Sequence, residues 1–72
     1  MKEETREYLK SYGKMMRLLR KRRNLSQKEV AESVGVSQSI ISHIEQGYYL
    51  PPGGVEEKLF AVLRGDKYEN SL

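Results

Sequence analysis

Residues 25–47 read LSQKEVAESVGVSQSIISHIEQG, and their apolar side chains recur at the spacing of two short helices. Ser26 and Glu29 have the spacing of a capping box, in which each side chain accepts a backbone N–H at a helix start. A helix is therefore expected directly after Ser26. Gly35 favours its end, because glycine readily adopts a left-handed conformation, and Ser37 is typical of a second N-cap. The stretch predicts two helices joined by a short turn.

Helical spacing continues on the N-terminal side of this stretch. A first helix is predicted over Lys14–Arg23, and Asn24 is expected to end it because Asn tolerates left-handed backbone. Residues 3–12 form a charged segment that is expected to be helical as well. Gly13 lies between the two segments and is predicted to break the helical pattern.

On the C-terminal side, Pro51-Pro52-Gly53-Gly54 cannot continue a helix. A fourth helix is predicted after it, over about Val55–Leu63. We therefore expect a compact all-α protein with four helices, or five if the N-terminal segment folds separately. The predicted parts are an N-terminal helical extension of residues 1–12, a central domain of residues 13–64 and a tail of residues 65–72.

The composition argues against an enzyme. A chain of 72 residues has little room for a catalytic cleft beside a core, and it contains no Cys and one His. Ser42 and His43 are neighbours on a predicted helix, so their side chains diverge and do not form a nucleophile and base. We predict no catalytic residue, metal, cofactor or small-molecule ligand. No apolar run is long enough to span a bilayer and the N-terminus is charged, so a cytoplasmic location is expected.

The formal net charge of +3 is unevenly distributed along the chain. Between Ser11 and Gly53 there are seven Lys and Arg residues against three acidic residues, whereas the two flanks together are close to neutral. A polyanion is the natural partner for such a segment. The alternative is a solvated charged surface, since most small basic domains have no nucleic-acid partner.

The predicted third helix, over residues 38–46, has one apolar and one polar half. Helical periodicity places five polar residues within one arc: Gln38, Ser39, Ser42, His43 and Gln46. Their amide, hydroxyl and imidazole groups donate and accept hydrogen bonds, and Gln forms two bonds with adenine in the major groove. This half is therefore expected to contact DNA base edges. The alternative is a polar surface without a partner.

Residues 25–47 resemble the helix-turn-helix of phage repressor and Cro-like transcription factors, and GKMMRLLRKRRN from Gly13 resembles their first helix. The similarity rests on three motifs: Leu-Ser-Gln at the start of the predicted second helix, the Gly35-Val36-Ser37 turn, and Glu45-x-Gly47. The resemblance implies a lambda-repressor-like DNA-binding domain. It also implies a sequence-specific transcriptional regulator, with repression as the expected activity. Such a regulator would bind double-stranded operator DNA as a homodimer.

The resemblance further implies roles for individual residues. The residues expected to read bases are Gln38, Ser39, Ser42 and His43. The residues expected to contact phosphate are Gln27, Gln46 and Tyr48, and the basic residues Arg17, Lys21 and Lys28 are further candidates. Arg20 and Glu45 are expected to form a structural ion pair between the first and third helices. The alternatives are a capping or surface role for His43 and an unpaired, exposed Arg20.

A protein-interaction module is the alternative function. Some domains of this fold bind proteins, and an antitoxin-like member would combine protein binding with operator binding. The dimer interface is left open by the sequence. Family members often dimerise through a fifth helix, but eight residues follow Arg64, so the N-terminal extension and the tail are both candidates.

Overall fold

The computed structural model describes residues 2–65, which form four helices and no strand. The helices are α1 (Glu3–Arg22), α2 (Gln27–Val34), α3 (Gln38–Glu45) and α4 (Val55–Arg64). The predicted all-α fold is confirmed. Within the described range, no helix has both the length and the apolar character needed to cross a membrane. Residues 66–72 of the predicted tail lie outside the described residues.

The predicted break at Gly13 is wrong, because α1 runs without interruption from Glu3 to Arg22. Gly13 is buried in the middle of this helix, where the backbone of α1 meets the C-terminal end of α3. A Cβ at Gly13 would overlap the carbonyl oxygens of Ile44 and Glu45. The missing side chain therefore permits the close approach of two helices, and does not end one. The domain boundary placed after residue 12 stays a prediction.

The hydrophobic core lies between the four helices. Its buried members are Tyr12, Met16, Val30, Ala31, Val34, Ile41, Ile44, Leu59 and Leu63. Ile41 and Ile44 are among the most completely buried side chains, so the apolar half of α3 faces inward as its periodicity predicts. Burial of these side chains is the main favourable term that holds α3 in place.

Local hydrogen bonds set both ends of the turn between α2 and α3. The Ser26 hydroxyl accepts the Glu29 N–H at 3.0 Å, and the Glu29 carboxylate accepts the Ser26 N–H at 2.8 Å. Gly35 ends α2 with a φ of 88°, and the Ser37 hydroxyl caps α3 by accepting the N–H of Ile40. The capping box, the glycine end and the second N-cap predicted from the sequence are thus confirmed.

Two further features fix the course of α1. The Tyr12 hydroxyl donates to the Glu56 carboxylate at 2.6 Å, and the Tyr12 ring meets Phe60 edge-on. Burial, together with the hydrogen bond to Glu56, raises the pKa of Tyr12, so this hydroxyl stays a donor at neutral pH. Asn24, two residues after the end of α1, has a φ of 58°, which confirms its predicted left-handed conformation.

We expect Gly13→Ala to destabilise the protein despite the higher helix propensity of alanine. Overpacking of a close contact costs about 1–3 kcal/mol of unfolding free energy. Denaturant unfolding followed by circular dichroism measures the change. Gly53→Ala is the control, because a Cβ at Gly53 meets no atom within 4 Å. An unfolding free energy of Gly13→Ala equal to or above that of the wild type would contradict the close approach of α1 and α3.

Candidate nucleic-acid interface

An ion pair between α1 and α3 fixes the orientation of α3. Arg20 donates to both carboxylate oxygens of Glu45, through Nε at 2.6 Å and Nη2 at 3.0 Å. The two side chains are only 11% and 6% exposed. Arg20 Nη1 also donates to the Leu25 carbonyl oxygen at 2.8 Å, which ties down the connection between α1 and α2. The two residues that the resemblance pairs are therefore joined by two parallel hydrogen bonds.

Gln27 is a third member of this network, and the sequence did not predict its contact with Glu45. Its Nε2 donates to Glu45 Oε1 at 3.0 Å, and the residue is half-buried. One donor of the amide is thus directed to Glu45, whereas Gln27 was predicted to contact a phosphate. The first N–H groups of a helix lack intrahelical partners and attract anions, and Gln27 is the first residue of α2. Phosphate contact at this helix start stays a prediction.

The polar half of α3 lies on the surface of the protein. Gln38 and Ser39, in the first turn, are exposed, and within residues 2–65 neither side chain forms a hydrogen bond. Ser42 and His43, one turn later, are half-buried. Gln46 Nε2 donates to Ser42 Oγ at 2.8 Å, so two residues predicted to contact DNA are bonded to each other. The first turn of α3 has the more accessible donors and acceptors.

His43 lies against two tyrosines of the segment that follows α3. Its ring stacks on Tyr48 with the centroids 5.1 Å apart, and the Tyr49 ring stands nearly perpendicular to it at 6.0 Å. His43 Nδ1 is 3.3 Å from the Tyr49 hydroxyl oxygen, which leaves Nε2 for an outside partner. This aromatic cluster was not predicted from the sequence, because helical periodicity does not predict the path of a loop.

Two cations that were not predicted to bind phosphate lie next to predicted phosphate contacts. Arg6 and Lys10, on the N-terminal half of α1, line a shallow cleft with Gln46, Gly47 and Tyr48. A Cβ at Gly47 would lie 3.0 Å from the Lys10 Cα, so the segment after α3 packs directly on α1. The uninterrupted course of α1 brings these cations to the end of α3.

The basic residues predicted to contact phosphate, Arg17, Lys21 and Lys28, are all exposed. No ion pair with another residue of the described range occupies them, and the same holds for Arg6 and Lys10. Their charges are therefore available to an outside anion. Among residues 2–65, no three His, Asp or Glu side chains are grouped to hold a metal ion.

A family model described as helix-turn-helix matches residues 16–69, which is most of the chain. The matched segment contains the α2–α3 turn and the whole of α3. It begins after Gly13, so Arg6 and Lys10 lie outside it. A search of curated proteins found no match.

We expect Arg20→Ala to lower the unfolding free energy by about 3–5 kcal/mol, because it leaves the nearly buried Glu45 carboxylate without its cation. Denaturant unfolding in the absence of DNA measures the loss. Arg17→Ala is the matched control, since it removes the same charge from an exposed position of α1. Arg20→Lys should lie between the two, because an ammonium group does not form two parallel bonds. Equal stability of Arg20→Ala and Arg17→Ala would contradict the role given to the ion pair.

Proposed function

Because this chain belongs to the Cro/C1-type helix-turn-helix family of DNA-binding regulators, we propose that it is a sequence-specific transcriptional repressor. The observation that carries the proposal is the exposed polar first turn of α3, a helix whose other end is held against α1 by the Arg20–Glu45 ion pair. A reading helix needs accessible polar groups on a fixed support. α3 combines both properties.

In this proposal, α3 enters the major groove with its N-terminal turn towards the bases. Gln38 pairs with adenine through two hydrogen bonds, and Ser39 contacts a neighbouring base. Ser42 and His43 reach bases with the atoms that their intramolecular contacts leave free. Because those contacts restrict rotation of both side chains, less conformational entropy is lost when DNA binds.

Phosphate contacts hold α3 in the groove from both sides. The residues proposed for this role are Gln27, Gln46, Tyr48, Arg17, Lys21 and Lys28. The start of α2 offers backbone N–H groups beside the exposed cation of Lys28. Such contacts add affinity for any DNA sequence and make binding sensitive to salt.

Arg6 and Lys10 extend the phosphate-binding surface beyond the segment that the family model matches. The residues that follow α3, from Gly47 to Gly54, include no Lys or Arg. Among residues 2–65, the positive charge in the cleft beside Gln46 and Tyr48 therefore comes from α1. We propose that a phosphate of the DNA backbone binds in this cleft, where both cations lie next to the polar groups at the end of α3.

The protein is proposed to bind as a symmetric homodimer. A two-fold dimer presents its reading helices to successive major grooves, with the half-site centres about 34 Å apart. The core of residues 2–65 consists of few buried side chains, so a second copy also adds stability.

The test of the proposed function begins with selection of bound sequences from a random DNA pool. Gln38→Ala is then expected to weaken binding to the selected duplex by about 1–3 kcal/mol and to relax the preference at one base pair. Its affinity for random DNA should change little. Lys28→Ala should instead weaken binding to both duplexes and make the salt dependence shallower by about one unit. Gel-shift titrations at several salt concentrations distinguish the two kinds of residue.

Two results would contradict the proposal. A protein that acts only through other proteins, such as an antitoxin without operator binding, would bind neither duplex at any salt concentration. Retained base preference in Gln38→Ala, Ser39→Ala, Ser42→Ala and His43→Ala alike would show that α3 is not the reading helix.

The double variant Arg6→Ala, Lys10→Ala tests the cleft on α1. We expect weaker binding to selected and random DNA alike, with a salt slope shallower by about two units because two fewer counterions are released. Lys58→Ala, an exposed cation on α4, is the control. A salt slope equal to that of the control would remove Arg6 and Lys10 from the interface and leave the role of α3 intact.

A further inference from the structure

α1 carries a row of exposed side chains that no other part of residues 2–65 covers. Its large apolar members, Tyr8, Met15 and Leu18, are 58%, 45% and 58% exposed. The whole row, here called the α1 stripe, consists of Glu4, Tyr8, Ser11, Met15, Leu18 and Arg22. Successive members are separated alternately by four and three residues, the spacing at which a helix packs against another helix.

The α1 stripe lies on the side of α1 away from α3. Helical periodicity places it roughly opposite Gly13, whose backbone contacts the end of α3. On one flank of the stripe, Tyr12 and Leu19 pack into the core. The stripe is therefore separate from the reading face, and contacts made by it leave α3 exposed.

We infer that the α1 stripe is the interface with a second copy of this chain, the two α1 helices pairing antiparallel about Gly13. This assigns the interface of the dimer proposed above, and it rests on that proposal. Gly13 is the midpoint of the stripe: Tyr8 and Leu18 lie five residues on either side of it, and Glu4 and Arg22 lie nine. In the antiparallel pair, Tyr8 of each copy therefore faces Leu18 of the other.

Charge complementarity selects this second copy as the occupant and sets its direction. All acidic residues of α1, Glu3, Glu4 and Glu7, lie in its N-terminal half, where they outnumber Arg6 and Lys10, whereas Lys14–Arg23 contains six basic residues and no acidic one. A parallel pair would place like charges together. The antiparallel pair places the weakly acidic half of each helix beside the strongly basic half of the other, and Glu4 opposite Arg22.

The edge of the stripe that faces solvent carries Glu7, Lys14 and Lys21, each directly before a member of the row. Lys14 lies near the two-fold axis, where it meets Lys14 of the other copy, so the favourable contacts of this edge are those of Glu7 and Lys21. Matching edges meet in an antiparallel pair, so Glu7 of one copy lies near Lys21 of the other. The two-fold axis repeats the contact.

The interface is small. Since α1 is about 30 Å long and its stripe has three large apolar side chains, the dimer should dissociate on dilution.

A charge exchange tests the antiparallel pairing without DNA. Glu7→Lys and Lys21→Glu each bring like charges together in their own homodimer, so we expect the dimer Kd to rise about tenfold. An equimolar mixture of the two variants should restore association, because the heterodimer has opposite charges at both contacts. Sedimentation equilibrium measures each state. Glu32→Lys and Lys58→Glu, the same charge changes on α2 and α4, are the controls and should behave as the wild type.

Single cysteines test the register, because the chain contains none of its own. A mixture of Glu4→Cys and Arg22→Cys should form a disulfide between the two variants under mild oxidation, whereas Glu4→Cys alone should form none. Cross-linking of Glu4→Cys with itself, or a mixture of charge variants that associates no better than either variant alone, would overturn the interface. Neither result affects DNA binding by α3, which the gel-shift titrations measure independently. A wild-type chain that is monomeric with and without DNA would overturn the dimer and its interface together.

Discussion

The Glu45 carboxylate is the point on which the arrangement of the first three helices depends. It belongs to α3, accepts two hydrogen bonds from Arg20 of α1, and accepts a third from Gln27 of α2. A buried ion pair adds little net stability over an apolar contact, but an unpaired buried charge is strongly unfavourable. Every alternative packing that separates these three residues therefore incurs a penalty. The network contributes a defined angle of α3 more than it contributes stability.

The sequence predicted the parts of this fold that depend on neighbouring residues. The Ser26–Glu29 capping box and the left-handed Gly35 each need only a few residues of chain, so their sequence signals translate directly into structure. Gly13 shows where such signals fail. A glycine between two helical patterns is compatible with a break and with a close helix contact, and only the position of Glu45 in space distinguishes the two.

The candidate site was predictable to a similar degree. The polar arc of α3 follows from helical periodicity, and its position at the surface was expected. The Arg20–Glu45 contact was predicted from the family resemblance, because no local pattern connects two residues that are 25 positions apart. The stacking of His43 on Tyr48 and the cleft beside Arg6 were not predicted. Both depend on how the segment after α3 crosses α1, and no local pattern in that segment encodes its path.

The uninterrupted course of α1 has a consequence for how this protein can change in evolution. One rigid rod carries the Gly13 contact with α3, the cations beside Gln46 and the α1 stripe, each at its own angle around a single axis. Replacing a side chain alters one of these surfaces and spares the others. Inserting or deleting one residue before Gly13 rotates everything upstream by about 100° relative to α3. Substitutions along α1 are therefore tolerated more readily than insertions or deletions, which change the relative orientation of its surfaces.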